Sequence, residues 1–171
     1  MDHPSKIYNE NGTLKQEYWL NEDSMFHRED GPAIINYDLY GKVHEEHWYI
    51  NGKCHREDGP ATISYYTNGK IQEEYWRIDG ELHREDGPAH KEYLDSGKQI
   101  SEYWFLKGLM TREDGPSFVM YSRVGKTDIL WIINGIDVSD EVNEWIKKHN
   151  IPDWSEWSNK EKALFKLKYV K

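Results

Sequence analysis

The chain has 171 residues, enough for one domain with a core of its own. Hydrophobic residues make up only 37%, yet aromatics reach 14%, with eight Trp and twelve Tyr, a ring content that excludes a disordered chain. The net charge is -9, and residues 141–171 hold seven Lys against five Asp or Glu, so residues 1–140 carry -11, a surface that repels nucleic acid and anionic membranes.

The opening stretch, "MDHPSKIYNE", lacks the apolar segment of a secretory signal. No apolar run approaches the ~20 residues of a membrane span. The single cysteine, Cys54, leaves no internal disulfide and fits a reducing compartment. The expectation is a soluble intracellular protein with no nucleic acid or membrane partner.

From near residue 6 to near Gly135 the chain repeats itself. "HREDGPA" stands at 27–33, 55–61 and 83–89, and "TREDGPS" at 111–117. His27, His55, His83 and Thr111 are each 28 residues apart, as are Tyr37, Tyr65, Tyr93 and Tyr121. Trp48, Trp76 and Trp104 keep the same step, Trp131 comes one residue early, and Trp19 belongs to a partial opening unit with a step of 29. A period of this size marks a repeat architecture.

Each unit carries two turn signals. One is "LYGK" (39–42), "TNGK" (67–70), "DSGK" (95–98) or "RVGK" (123–126); the other is "INGK" (50–53), "IDGE" (78–81), "LKGL" (106–109) or "INGI" (133–136). Asn-Gly and Asp-Gly between β-rich runs predict tight hairpins. Frequent Gly and Pro exclude a helical repeat. The predicted fold is mainly β: an elongated antiparallel meander of β-hairpins over residues 1–137, with a short α-helical C-terminal cap over 138–171. Treating Asn68-Gly69 as a two-residue turn puts Ala61 opposite Trp76. Treating Asn51-Gly52 likewise puts Trp48 opposite His55. Each indole is then expected between a small Ala and an imidazole.

"REDGP" cannot continue a strand, because Pro60 removes a donor and Asp58-Gly59 favours a bend. It reads as a structural bend repeated four times. Arg56 can pair with Asp58 or reach Glu46, which shares the face of Trp48 and needs a partner there. A metal site from His55, Glu57 and Asp58 is the rival reading. It lacks the spacing of a calcium loop and the further soft ligands zinc would need, so no metal and no cofactor is expected. No nucleophile motif, phosphate loop or paired Cys/His points to catalysis.

Past Gly135, "VSDEVNEWIKKHN" predicts a helix with Ser139 as N-cap and Val142, Trp145 and Ile146 on one face. Ser158 and Glu161 predict a capping box that opens a second helix carrying Leu164, Phe165 and Leu167. With Trp154 and Trp157, these apolar groups exceed what two helices bury alone, so they are expected to pack on the last hairpins as a cap. The N-terminal edge has no cap and offers an opening for a homodimer.

The pattern "YxxxGKxxxExWxxNGKxHRxxGPA" resembles a divergent membrane occupation and recognition nexus (MORN) repeat. The "HREDGPA" form is similar to repeat proteins of large amoeba-infecting DNA viruses, marseillevirus-like, and of some phages. The resemblance covers roughly residues 6–136 and, at 28 residues, the period is longer than the family's usual one. It implies a single-layer sheet used as a scaffold for protein contacts, as a viral structural or host-interaction protein in the virion or host cytoplasm. The expected partner face lies opposite the Trp row, with Tyr49, Tyr66, Tyr75 and Phe105 among acidic groups. The alternative is an antitoxin-like regulatory binder of a basic partner.

Overall fold

The computed structural model describes residues 3–122 and 125–170. β1 (Ser5–Tyr8) and β2 (Leu14–Tyr18) form an opening hairpin. The next unit adds β3 (Ile34–Tyr37), β4 (Val43–His47) and a short pair, β5 (Tyr49–Ile50) and β6 (Lys53–Cys54). The same series returns as β7 (Thr62–Tyr65), β8 (Ile71–Tyr75), β9 (Arg77–Ile78) and β10 (Glu81–Leu82). It returns again as β11 (His90–Tyr93), β12 (Gln99–Tyr103), β13 (Phe105–Leu106) and β14 (Leu109–Met110). The last unit holds β15 (Phe118–Ser122), β16 (Gly125–Leu130), β17 (Ile132–Ile133) and β18 (Ile136–Asp137), followed by α1 (Ser139–Lys148) and α2 (Asn159–Tyr169). The long strands pair in chain order into one ten-stranded antiparallel sheet, β1-β2-β3-β4-β7-β8-β11-β12-β15-β16, and the short pairs form a row beside it. The fold is a β-meander with a small helical cap.

The short hairpins follow the two-residue rule. Asn51 and Gly52 have φ of 49° and 79°, and Asp79-Gly80, Lys107-Gly108 and Asn134-Gly135 repeat that left-handed pair. The predicted register holds: Ile50 pairs with Lys53, Tyr49 with Cys54, and the His55 N–H donates to the Trp48 carbonyl at 3.0 Å.

The long hairpins differ from expectation. The Tyr66 N–H donates to the Lys70 carbonyl and the Gly69 N–H to the Tyr66 carbonyl, each at 2.8 Å, so Thr67-Asn68-Gly69 is a three-residue loop. Gly69, at φ 81°, supplies the left-handed closing residue that a type I turn with a bulge needs. A register shift between Ser64 and Tyr65 compensates, so Ile63 still pairs with Glu74 and Thr62 with Tyr75. The same shift falls at Tyr8, Tyr37, Tyr93 and Tyr121. The fourth such turn, expected at 123–126, lies partly outside the described residues.

The repeated residues tie each unit to the next. The Nδ1 atoms of His27, His55 and His83 accept the N–H of Asn51, Asp79 and Lys107 in the following short turn, at 3.1, 3.2 and 3.1 Å. Thr111 does the same for Asn134 through its hydroxyl at 3.1 Å, which explains how threonine stands in for histidine. The Nζ atoms of Lys42 and Lys70 reach the carbonyls of Thr67 and Ser96 in the next long turn, and that of Lys98 the carbonyl of Ser122 at the end of β15.

At the C-terminal end the core is Trp131, Ile133, Val142, Trp145, Trp157 and Phe165, with Ile146, Trp154 and Tyr169 packed against it. Trp131 stacks on Trp157 at 5.3 Å and meets Phe165 at 5.1 Å. Ser158 and Glu161 form the predicted capping box. Ser139 is not the N-cap of α1 but its first helical residue; its hydroxyl accepts the Trp131 N–H at 2.9 Å and donates to Asp137, fastening the helix to the sheet. Of the apolar residues expected on α2, Phe165 is buried while Leu164 and Leu167 are exposed. The helices lie against the face of the last hairpins. Among the described residues, β16 pairs with β15 alone and β1 with β2 alone, so both outer strands of the sheet keep an open edge.

Candidate functional site

The heptapeptide loop is built around its arginine. Arg28, Arg56, Arg84 and Arg112 lay their guanidinium groups over Trp19, Trp48, Trp76 and Trp104, at 4.1, 4.2, 3.8 and 3.8 Å from the ring centroids. Arg56 Nε donates to Asp58 Oδ1 at 2.8 Å, and its Nη1 reaches the Pro60 carbonyl at 3.4 Å. That ion pair holds the Asp58 carboxyl below its ordinary range. Gly59 has no left-handed φ; a Cβ there would stand 2.6 Å from Arg56 Cζ. The glycine supplies room for the guanidinium, not a special backbone angle.

Two expectations about this face are corrected. Ala61 and Trp76 do stand at facing positions, by the pairing of Thr62 with Tyr75. The group over the indole, however, is Arg84, while the His83 imidazole is engaged with Lys107. The carboxylates two residues before each Trp are answered by tyrosine. Tyr37, Tyr65 and Tyr93 donate their hydroxyls to Glu17, Glu46 and Glu74, each at 2.7 Å. A phenol one strand away meets the carboxylate directly, whereas Arg56 is already enclosed by its own loop. At the fourth loop the arginine also comes near, with Arg112 Nη1 3.8 Å from Glu102.

The opposite face carries one row across nine strands, in the order Tyr18, Ile34, His47, Thr62, Tyr75, His90, Tyr103, Phe118 and Leu130. His90 is stacked between Tyr75 at 4.1 Å and Tyr103 at 4.7 Å, and Tyr103 meets Phe118 at 4.7 Å. Burial pushes the His90 pKa down. Beside this ladder runs a polar row in which Glu73 faces Glu92 directly, with Glu45 and Ser64 on one side and Ser101 on the other. Like charges in direct opposition are unfavourable within a sheet. Tyr75 and Ser101 donate hydroxyls to Glu73 and Glu92.

Of the four expected contact residues, Tyr75 alone belongs to that ladder. Tyr49 sits on the short hairpin against Phe26 at 5.6 Å, Tyr66 ends at the long turns with its hydroxyl on the Tyr93 carbonyl at 2.8 Å, and Phe105 lies on β13. Tyr49 also meets the ladder's His47 at 6.3 Å, and the four residues lie on different elements: Tyr49 on β5, Tyr66 at a long turn, Tyr75 on β8 and Phe105 on β13. The ladder residues missed in the sequence had a signal: each immediately precedes a repeated Trp or follows a repeated Ala or Ser.

Among the described residues no group of three His, Cys, Asp or Glu side chains is arranged to hold a metal ion. His55 lies 3.9 Å from Glu57, but Asp58 is taken by Arg56. The Cys54 thiol lies 3.6 Å from the Ala61 carbonyl, and burial pushes its pKa up, away from a nucleophile's range. Among the described residues no helix is long and apolar enough to cross a membrane.

No family model matches the chain, and a search of the curated proteins finds no match.

Proposed function

We propose that the chain is a non-enzymatic repeat scaffold that holds a protein partner, the role implied by its resemblance to MORN-like viral repeat proteins. The observation that carries this reading is the sheet face opposite the Trp row, where the half-buried Tyr75–His90–Tyr103 ladder, closed by the buried Phe118, runs beside the facing Glu73 and Glu92. Rings held rigid by their neighbours lose little entropy on binding and make good anchors. Several side chains suited to acid–base or nucleophilic work are otherwise used: His55 and His83 brace turns, Asp58 holds Arg56, and the half-buried Cys54 thiol has its pKa pushed up.

The facing carboxylates favour a second reading, a regulatory binder that covers a basic partner. Capture from the source cells tests both, using the natural chain, Tyr103→Ala, and Glu73→Gln with Glu92→Gln. A stoichiometric protein lost with Tyr103→Ala supports the scaffold. Loss with the Glu variants alone, and a basic captured protein, supports the regulatory binder. Equal capture by all three chains overturns the assignment of this face.

A further inference from the structure

The four heptapeptide loops are alike in sequence, but among the described residues the chain itself lies across only the fourth. There, α2 lies across the loop: Lys166 Nζ is 2.9 Å from Glu113 Oε2, and Lys162 Nζ is 3.5 Å from Asp114 Oδ2. The two lysines are four residues apart, one turn of helix, so they leave the same face. Asp114 Oδ1 still accepts from Arg112 Nε at 2.8 Å. The helix therefore uses an oxygen that the loop does not need for itself.

Among the described residues the first three loops present the same Arg, Glu and Asp groups with no helix across them; Glu29, Glu57 and Glu85 each stand 3.9 Å from the loop's own histidine, where the fourth loop has Thr111. Arg28, Arg56 and Arg84 hold one oxygen of Asp30, Asp58 and Asp86, through the Oδ1 atoms, just as in the fourth loop. The Glu and Asp side chains of these loops are 83% to 87% exposed, against 52% for Glu113 and 38% for Asp114. A cleft beside the second loop adds an apolar floor of Trp48 and Ile50.

We propose that these three loops are docking sites for a basic helix of another protein, one bearing lysines four residues apart and seated as α2 is seated on the fourth loop. Charge selects the occupant. The repeat region carries -11, which repels nucleic acid and anionic lipid and attracts a cationic segment. A second copy of this chain is a poor source, because its own Lys162 and Lys166 are already engaged. The inference shares with the reading above only the premise that the chain binds protein. It places the contact on the opposite side of the sheet.

The test uses the full chain, isotopically labelled, and a synthetic helical peptide with lysines at i and i+4. A control peptide places the same lysines at i and i+2, on different faces. The expected result is saturable shifts of the amides around Glu29, Glu57 and Glu85, weakened at least tenfold in the triple variant Glu29→Gln, Glu57→Gln, Glu85→Gln. These side chains are exposed, so the variant is expected to fold; an unchanged amide spectrum away from the loops checks that. Tyr103→Ala should leave the peptide's affinity unchanged. Equal affinity of the triple variant and the natural chain overturns the proposal, as does equal binding of the control peptide or no saturable binding. Loss of binding with Glu113→Gln alone also overturns it, since that is exchange with α2. If the peptide fails while cellular capture still depends on Tyr103, the loop sites are lost and the scaffold reading stands.

Discussion

The guanidinium of Arg56 lies 4.2 Å from the ring centroid of Trp48, and Gly59 backs it from the other side. Two residues of the loop and the tryptophan before the short hairpin thus form a single packing unit, in which the glycine matters for space. Gly59→Ala is expected to lift the guanidinium off the indole and lose an interaction of about 0.5–2 kcal/mol. In an Arg56→Ala background the same change should cost much less. Gly69→Ala, at φ 81°, should stay costly whatever happens to Arg56. Urea unfolding of the double-mutant cycle checks this; additivity between Gly59 and Arg56 would disprove the packing unit.

Histidine in the heptapeptide is an acceptor for the next unit. His55→Thr should be tolerated, because Thr111 already makes the equivalent bond to Asn134. His55→Ala removes the acceptor from the Asp79 N–H and should cost about 0.5–1.5 kcal/mol. Hydrogen exchange of the Asp79 amide reads the bond itself. Faster exchange in His55→Thr than in His55→Ala would refute the assignment.

Among the described residues no arginine lies over the fifth repeated tryptophan; the helices cover it instead. Trp131 is 2% exposed, between Trp157 and Phe165. Trp131→Ala is expected to cost about 3–5 kcal/mol and to release α1 and α2 from the sheet. Trp19→Ala, at the other end and only half-buried, should loosen the opening hairpin alone. Circular dichroism in the near ultraviolet and per-residue exchange distinguish the two. Loss of protection at β7 and β8 in Trp19→Ala would show longer-range coupling than this.

The tyrosine–glutamate pairs set the alkaline limit. Burial and the carboxylate of Glu17 push Tyr37 up to about 12, and burial with Glu102 pushes Tyr121 up to about 12. Tyr65 and Tyr93 are raised further in the same way. The folded chain thus favours the neutral phenol. That contribution is complete below pH ~10, the unfolded value, and is lost as pH rises through the folded values. Absorbance titration should show these phenols ionising above the ordinary tyrosine value of about 10, with unfolding following above pH ~10. Glu46→Gln should bring the Tyr65 transition down. A single unshifted tyrosine transition in the folded protein would contradict the pairs.

The period, the two classes of hairpin and the two helices were legible because each has a local cause. Asn51-Gly52 needs two left-handed residues, and Ser158 with Glu161 closes a cap within one turn. Asn68-Gly69 misled because the same dipeptide also closes a three-residue loop, and the bulge at Tyr65 hides the difference from anyone counting register. The site was less legible. Arg56 over Trp48 and Tyr65 on Glu46 join residues 8 and 19 positions apart, through a loop and a strand pairing that periodicity alone does not orient. Repetition marks which residues matter to every unit but not which of them touch.

The bonds by which histidine and tyrosine tie one unit to the next recur between equivalent positions, from His27 to Asn51, His55 to Asp79 and His83 to Lys107, and from Tyr65 to Glu46 and Tyr93 to Glu74. Removing residues 56–83 would leave His55 followed by Arg84, and the heptapeptide would read unbroken across the joint. His55 would then meet Lys107 as His83 does, and no new kind of contact would be needed. Length in this molecule is therefore a heritable quantity in its own right. Unequal crossing-over between copies can shorten or extend the array by whole 28-residue steps while each product remains foldable, and the number of loops shown to the outside changes in the same steps.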